Sequence, residues 1–252
     1  MFRGAKRFLR KITGKKKTNK VIHPTWLGRV ACLGRNVFDS RISDLNHPVL
    51  INQQKVRCDL WMDYLSGAPR PDTKVVEAHL DRDYVAPTIA EQEKLPWLDT
   101  PSEKISCLIM DSFAELTDQK FVHRSGGWAF CCHYADINHT PEFDENFIRH
   151  GLLPIEEIEN VYREFFEWFF KTYPNVSIIF FHFPTSLDKR EQFHIRAEKI
   201  LNIIDNLAQR FECLHSVSIS DHLVLPHEDD SFAYHFSNAT VSEFVKKWKF
   251  SK

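Results

Sequence analysis

The chain of 252 residues contains only eight glycines and three methionines. No glycine-rich loop of the kind that cradles phosphates is present. Nor does any segment reach the roughly 18 consecutive apolar residues needed to cross a bilayer, which excludes an integral membrane protein as the reading. The start is basic, but the apolar run of about 7–15 residues that defines a secretory signal does not follow it. Its six cysteines, Cys32, Cys58, Cys107, Cys131, Cys132 and Cys213, therefore read as reduced cytosolic thiols rather than a disulfide framework. No CxxC or HExxH spacing occurs. Cys131, Cys132, His133 and His139 are capable ligands, but adjacent cysteines in a strand point to opposite faces, so no metal site is expected.

Acidic residues are absent from positions 1–20, which hold nine of the 33 Lys and Arg. The rest of the chain carries 24 basic against 34 acidic residues, a net of −10. A basic tail on an acidic body points to an anionic partner. Within the tail, Phe2, Ala5, Phe8, Leu9 and Ile12 share one face at helical spacing. Residues 2–13 thus read as an amphipathic helix suited to an anionic membrane surface, with Phe2, Phe8, Leu9 and Ile12 inserted. Each basic residue near such a surface contributes roughly 1 kcal/mol. A solvated tail and a nucleic-acid arm are the other readings of this segment. The acidic body lacks a basic patch with interleaved aromatics, which argues against nucleic acid. The expected location is cytoplasmic, peripheral at the inner membrane.

Hydrophobic residues make up 43% of the chain, and 21 of its residues are Phe. That is enough to bury a large ring-packed core, and residues 21–252 read as a single α/β domain following the tail at 1–20. Val30 to Leu33 forms a short apolar run ending at Gly34, which predicts a buried first strand with a polar loop, Arg35 to Arg41, at its carboxyl end. Ligands of open α/β folds bind at such loops, which makes Gly34, Arg35, Asn36 and Asp39 candidate binding residues. A strand-to-helix turn capped by Asp39 or Ser40 is the other reading.

A helix beginning near Arg41 and a second strand over 55–64 are expected next, then a loop at 66–71 and a short helix over 88–98 capped by Thr88. Residues 105–113 read as a buried strand ending in Asp111, a helix cap or a ligand contact. The stretch 123–139 reads as a loop in which His123, Arg124 and Trp128 can meet substrate. Pro154 to Tyr173 carries a wide aromatic stripe at helical spacing, which is core. A strand follows at 176–181 with His182 at its carboxyl end. A second long helix spans 188–211 with Ile195, Ile200, Ile203, Ile204 and Leu207 inward, and a strand occupies 212–219. This alternation predicts a three-layer α/β/α domain with a mainly parallel sheet. A last helix, capped by Ser237 or Asn238, follows a loop containing Asp229, Asp230 and His235. A histidine so placed is a candidate general base.

The segments LGRNVFDSR at 33–41, LIMDSFAEL at 108–116, IIFFHFPT at 178–185 and YHFSNATVSEF at 234–244 together resemble the SGNH, or GDSL-like, hydrolase superfamily. Within it the chain is most similar to members found among bacterial surface-polysaccharide biosynthesis proteins, of capsule or lipopolysaccharide. The resemblance spans about residues 29–249 and implies an SGNH/flavodoxin-like fold. It also implies a serine after the first strand and a C-terminal Asp/His pair. Carried over, these are Ser40, His235 and Asp230 or Asp229, although Phe232 stands three residues before the histidine, where the family has its acid. The implied activity is O-acyl transfer to, or ester removal from, a surface glycan or its lipid-linked precursor. No cofactor is required, and acetyl-CoA is a candidate acyl donor. A non-catalytic glycan- or partner-binding protein of the same fold is the alternative, favoured by the lack of a serine next to Gly34. A glycosyl or phosphosugar transferase is the second.

Overall fold

The computed structural model describes residues 24–42, 47–228 and 232–248. The membrane-helix residues Phe2, Phe8, Leu9 and Ile12, and the candidate acids Asp229 and Asp230, lie outside them.

Five strands form one parallel sheet: β1 (Thr25–Arg29), β2 (Val49–Asn52), β3 (Ile105–Asp111), β7 (Ser177–Phe181) and β8 (Leu214–Val217). Their order is β2-β1-β3-β7-β8. Helices α1 (Cys32–Arg41) and α9 (Asn238–Trp248) pack together on one face. The other face carries α2 (Cys58–Leu65), α7 (Ile155–Thr172) and α8 (Glu191–Ala208). The fold is thus the expected three-layer α/β/α arrangement. Each parallel crossover brings a helix onto the sheet, so β3 and β7 are buried nearly throughout.

Three further strands follow β3 before the chain returns to the main sheet. They are β4 (Asp118–His123), β5 (Ala129–His133) and β6 (Phe147–Gly151), paired antiparallel in the order β5-β4-β6. Short helices α5 (Phe113–Thr117) and α6 (Pro141–Asn146) flank them. Cys131 and Cys132 do face opposite ways: Cys131 joins the main core, and Cys132 packs in a second cluster with Phe121, Phe130 and Phe147. That second cluster also takes Val76 of α3 (Thr73–Glu77) and Ile89 of α4 (Ala86–Lys94).

Several elements depart from the sequence reading. The first strand ends at Arg29, and Cys32–Arg41 is helical, because Leu33, Val37 and Phe38 recur at helical spacing and are all buried. Gly34 is therefore a helical residue, and the expected polar loop is the solvent face of α1. Residues 55–64 contain α2 rather than a strand. Val56, Cys58 and Leu60 alternate, but Leu60, Trp61 and Tyr64 share one buried helical face. Of the helix expected from Arg41, Arg41 itself ends α1, residues 43–46 lie outside the described ones, and β2 begins at Val49. Thr88 lies inside α4, where its hydroxyl donates to Val85 O, so it is no N-cap. The loop expected at 123–139 contains β5. On α8, Ile200, Ile204 and Leu207 are buried, but Ile195 is 48% exposed. Ser237 does cap α9, accepting from Thr240 N–H. Among the described residues no helix is long and apolar enough to cross a membrane.

Candidate functional site

The strand order reverses direction at β1: the chain steps from β1 to β2 on one side and then to β3 on the other. In open parallel sheets a crevice forms outside the carboxyl ends at such a point. Here it lies between the β1–α1 turn and the start of α5. Two side chains shape that turn. Asn52, at the end of β2, accepts from Val30 N–H at 3.1 Å and donates to Val30 O at 3.0 Å. Asp111, at the end of β3, accepts from Ala31 N–H at 2.7 Å and from Phe113 N–H at 3.1 Å. Both readings of Asp111 placed it at a strand end; it holds two turns together and is buried. Burial pushes its carboxyl up to about 7, against the pull of the two amides.

The turn delivers Cys32 to the first position of α1, on the wall of a cleft of about 280 Å³. No side chain caps this helix. The thiol donates to Tyr234 O at 3.2 Å. Burial and the nearby Asp111 charge push it up to about 11, while the backbone amides of Leu33 and Cys32 pull the other way. His235 lines the same cleft, with its ring 5.1 Å from that of Phe232.

A charged wall faces them. Lys55 reaches Asp136 at 2.9 Å and Asp118 at 3.5 Å. Burial works against its charge, but the two carboxylates hold the ammonium above its ordinary range. Lys55 also adopts a positive φ of 65°, a strained conformation for a non-glycine residue. Asp136 accepts from Arg82 at 3.2 Å and from His133 N–H at 3.0 Å. His133 Nδ1 accepts from Ala135 N–H, and burial lowers its pKa, so the neutral ring carries its proton on Nε2 and presents a donor. On the opposite wall Arg190 grips Asp188 through two nitrogens, and Tyr234 OH bridges the pair. Hydrogen bonds from Arg190 keep the Asp188 carboxyl well below its usual range. The aromatic side chains of Tyr84 and Phe232, 69% and 52% exposed, rim the mouth.

Of the candidate catalytic and binding residues that lie among the described ones, His235 is the one that lines this cleft. Ser40 is exposed near the far end of α1, eight residues from Cys32, or about 12 Å along the helix axis. The expected pairing of Ser40 with His235 is therefore not formed. Arg35, Asn36 and Asp39 are exposed on α1, where Arg35 pairs with Asp39 at 2.9 Å. Gly34 packs against Val30 rather than a ligand. His123 and Trp128 stack in parallel, 4.5 Å between ring centroids, and with exposed Arg124 they build the β4–β5 turn away from the cleft. His182 borders a different cavity.

The residues missed from sequence are Cys32, Lys55, Arg82, Asp136, Arg190 and Tyr234, and His133 was weighed only as a metal ligand. Cys32 was within reach: Val30-Ala31-Cys32-Leu33 follows the true strand end directly, and placing that end four residues late moved attention from the cysteine to Ser40. The others converge from separate elements, and no local spacing signals them. Among the described residues no group of three or more His, Cys, Asp or Glu is arranged to hold a metal ion. No protein-family model matches this chain, and no curated protein matches it.

Proposed function

We propose that this protein is an SGNH-like acyl-transfer enzyme acting on a hydroxyl group of a bacterial surface glycan or its lipid-linked precursor, with Cys32 rather than Ser40 as nucleophile. One observation carries the reading: the Cys32 thiol stands in the uncapped first turn of α1, at the crevice of the parallel sheet, in one cleft with His235. A thiol pushed up to about 11 is protonated at neutral pH and needs a base. His235 takes the proton as sulfur attacks the acyl carbonyl. A carbon–sulfur bond forms to Cys32, and the donor's thiol or alcohol leaves with the proton. The glycan hydroxyl, or water in the esterase direction, then attacks the thioester and returns the proton to Cys32. The first-turn amides of α1 and His133 Nε2–H supply donors for the oxyanion. Arg82 and Arg190 suit an anionic part of the donor, such as the phosphates of acetyl-CoA. Tyr84 and Phe232 offer ring faces to a sugar. A basic segment at 2–13 would hold the enzyme at the inner membrane.

The test is an acetyl adduct. Incubation with acetyl-CoA or p-nitrophenyl acetate is expected to acetylate Cys32, read by peptide mass spectrometry. Cys32→Ala and His235→Ala are each expected to lower turnover by about 10²-fold or more, and Ser40→Ala to leave it unchanged. Wild-type turnover in Cys32→Ala would sink the reading. The raised thiol pKa favours a second one, a non-catalytic glycan- or partner-binding protein, and binding without turnover would support it.

A further inference from the structure

A second cavity, of about 310 Å³, lies at the carboxyl ends of β3, β7 and β8. An aromatic partition separates it from the Cys32 cleft. Phe183 borders the cavity, Phe113 and Tyr234 border the cleft, and the three rings pack with centroids 4.5 to 5.7 Å apart. Nothing in the acyl-transfer scheme uses this cavity.

Two buried polar atoms beside it have no hydrogen-bond partner among the described residues, His182 Nδ1 and Ser186 Oγ. His182 is only 7% exposed. Its neighbours fix its tautomer. The Ser216 hydroxyl gives its single proton to Asp205, so its oxygen must accept from His182 Nε2–H at 2.8 Å. His182 Nδ1 is then a bare acceptor. Burial keeps the ring neutral, lowering its pKa to about 4. Thr185 is left in the same state. His194 Nε2–H donates to Asp188 O, so Nδ1 of that ring accepts the Thr185 proton, and Thr185 Oγ1 retains its lone pairs. The carboxylates bordering the cavity, Glu198 and Asp221, are exposed at its rim, and among the described residues no Lys or Arg borders it.

The cavity thus offers a bare neutral acceptor, His182 Nδ1, and an unpaired hydroxyl, Ser186, that can both donate and accept. An unsatisfied buried polar group costs about 1–3 kcal/mol, so a fitting ligand brings a donor for Nδ1 and a group that can donate to or accept from the Ser186 hydroxyl. A carboxylate brings no donor for Nδ1, and neither it nor a phosphate meets a Lys or Arg among the described residues. A buried ammonium would find its counter-charges only at the rim. Hydroxyl groups satisfy neutral acceptors without either penalty. The apolar surfaces of Leu201, Phe183 and Ile219 suit the C–H face of a sugar ring.

We infer that this cavity is a binding subsite for a neutral, hydroxyl-rich ligand, a carbohydrate residue, which donates hydroxyl protons to His182 Nδ1 and Ser186 Oγ. The site is independent of Cys32 chemistry. It would serve a glycan-modifying enzyme or a glycan-binding protein equally.

The experiment is nitrogen-15 NMR of the histidine rings in the full chain carrying Cys32→Ala, so that loss of catalysis cannot affect the outcome. The free protein is expected to show His182 as the neutral Nε2–H tautomer. Titration with methyl glucoside, methyl galactoside and N-acetylglucosamine is expected to shift its Nδ1 resonance saturably in at least one case. Leu201→Trp, which fills the cavity, is expected to weaken that binding about tenfold, or 1.4 kcal/mol. Ser186→Ala removes a hydroxyl with no partner among the described residues, so its melting temperature should hold while sugar affinity falls. A protonated Nδ1 in the free protein, no saturable shift with any of the sugars, or saturation by ethanolamine or inorganic phosphate alone would each overturn the inference. A shift undiminished in Leu201→Trp would place the sugar elsewhere and overturn it as well.

Discussion

A Cβ placed on Gly34 would lie 2.5 Å from Val30 Cγ1 and 3.2 Å from Asp111 Oδ2. Alanine at a helical position normally gains about 1 kcal/mol over glycine. Overpacking a filled site costs about 1–3 kcal/mol. The clash involves the branched stem of Val30, which cannot swing away, so the cost should win. Gly34→Ala is expected to lower stability by up to about 2 kcal/mol, read as the midpoint of urea unfolding; a more stable variant would show that the turn can relax. Asp111 is the other residue on which this turn depends. Its folded pKa of about 7 lies above the ordinary 3.8, so the folded state keeps a proton that the unfolded chain has lost within that window. The associated stability is present below pH 3.8 and is lost as pH rises through about 7. Asp111→Asn cannot titrate, so any stability advantage of the wild type over this variant should shrink across that range. An advantage that grows with pH would mean the carboxylate is favoured in the fold.

At the scale of elements, one carboxylate ties together four of them. Glu115 of α5 receives Arg29 of β1 at 2.7 and 2.8 Å, Cys58 N–H of α2 at 3.0 Å and Tyr162 OH of α7 at 2.8 Å. Both Arg29 and Glu115 are buried. Truncating one partner of a buried pair leaves an uncompensated charge, whereas replacing both can be close to neutral. Glu115→Leu is therefore expected to cost about 3–5 kcal/mol, and Arg29→Met in the same chain to recover part of it. A double variant no better than Glu115→Leu would show that the hydrogen bonds to α2 and α7, rather than the charge pair, are what matter. Elements whose apolar period ran long were legible in sequence. Helix α7 buries Ile158, Tyr162, Phe165, Phe166 and Phe169 over five turns, and no strand reading competes with that spacing. Short ambiguous runs were not legible: Val56-x-Cys58-x-Leu60 alternates like a strand and is part of a helix. So were Val30 to Leu33, where two turn residues and the first turn of α1 imitate a buried strand.

Across the whole molecule, the sequence determined the fold class. Buried strands at 105–111 and 177–181 alternate with long amphipathic helices, and hydrophobic burial alone orders such units into layers. It also determined that His235 precedes the last helix. The partnership was decided only by tertiary structure. Parallel crossovers bring residues far apart in the chain to one sheet edge, so Cys32 bonds to Tyr234 O and shares a cleft with His235 across about two hundred positions. The same geometry carries Ser40 two helical turns away from them. Likewise, local patterns say nothing of whether a histidine nitrogen finds a partner. Ser216 of a neighbouring strand and Asp205 of α8 fix the proton of His182 on Nε2, which leaves Nδ1 a bare acceptor with no partner among the described residues.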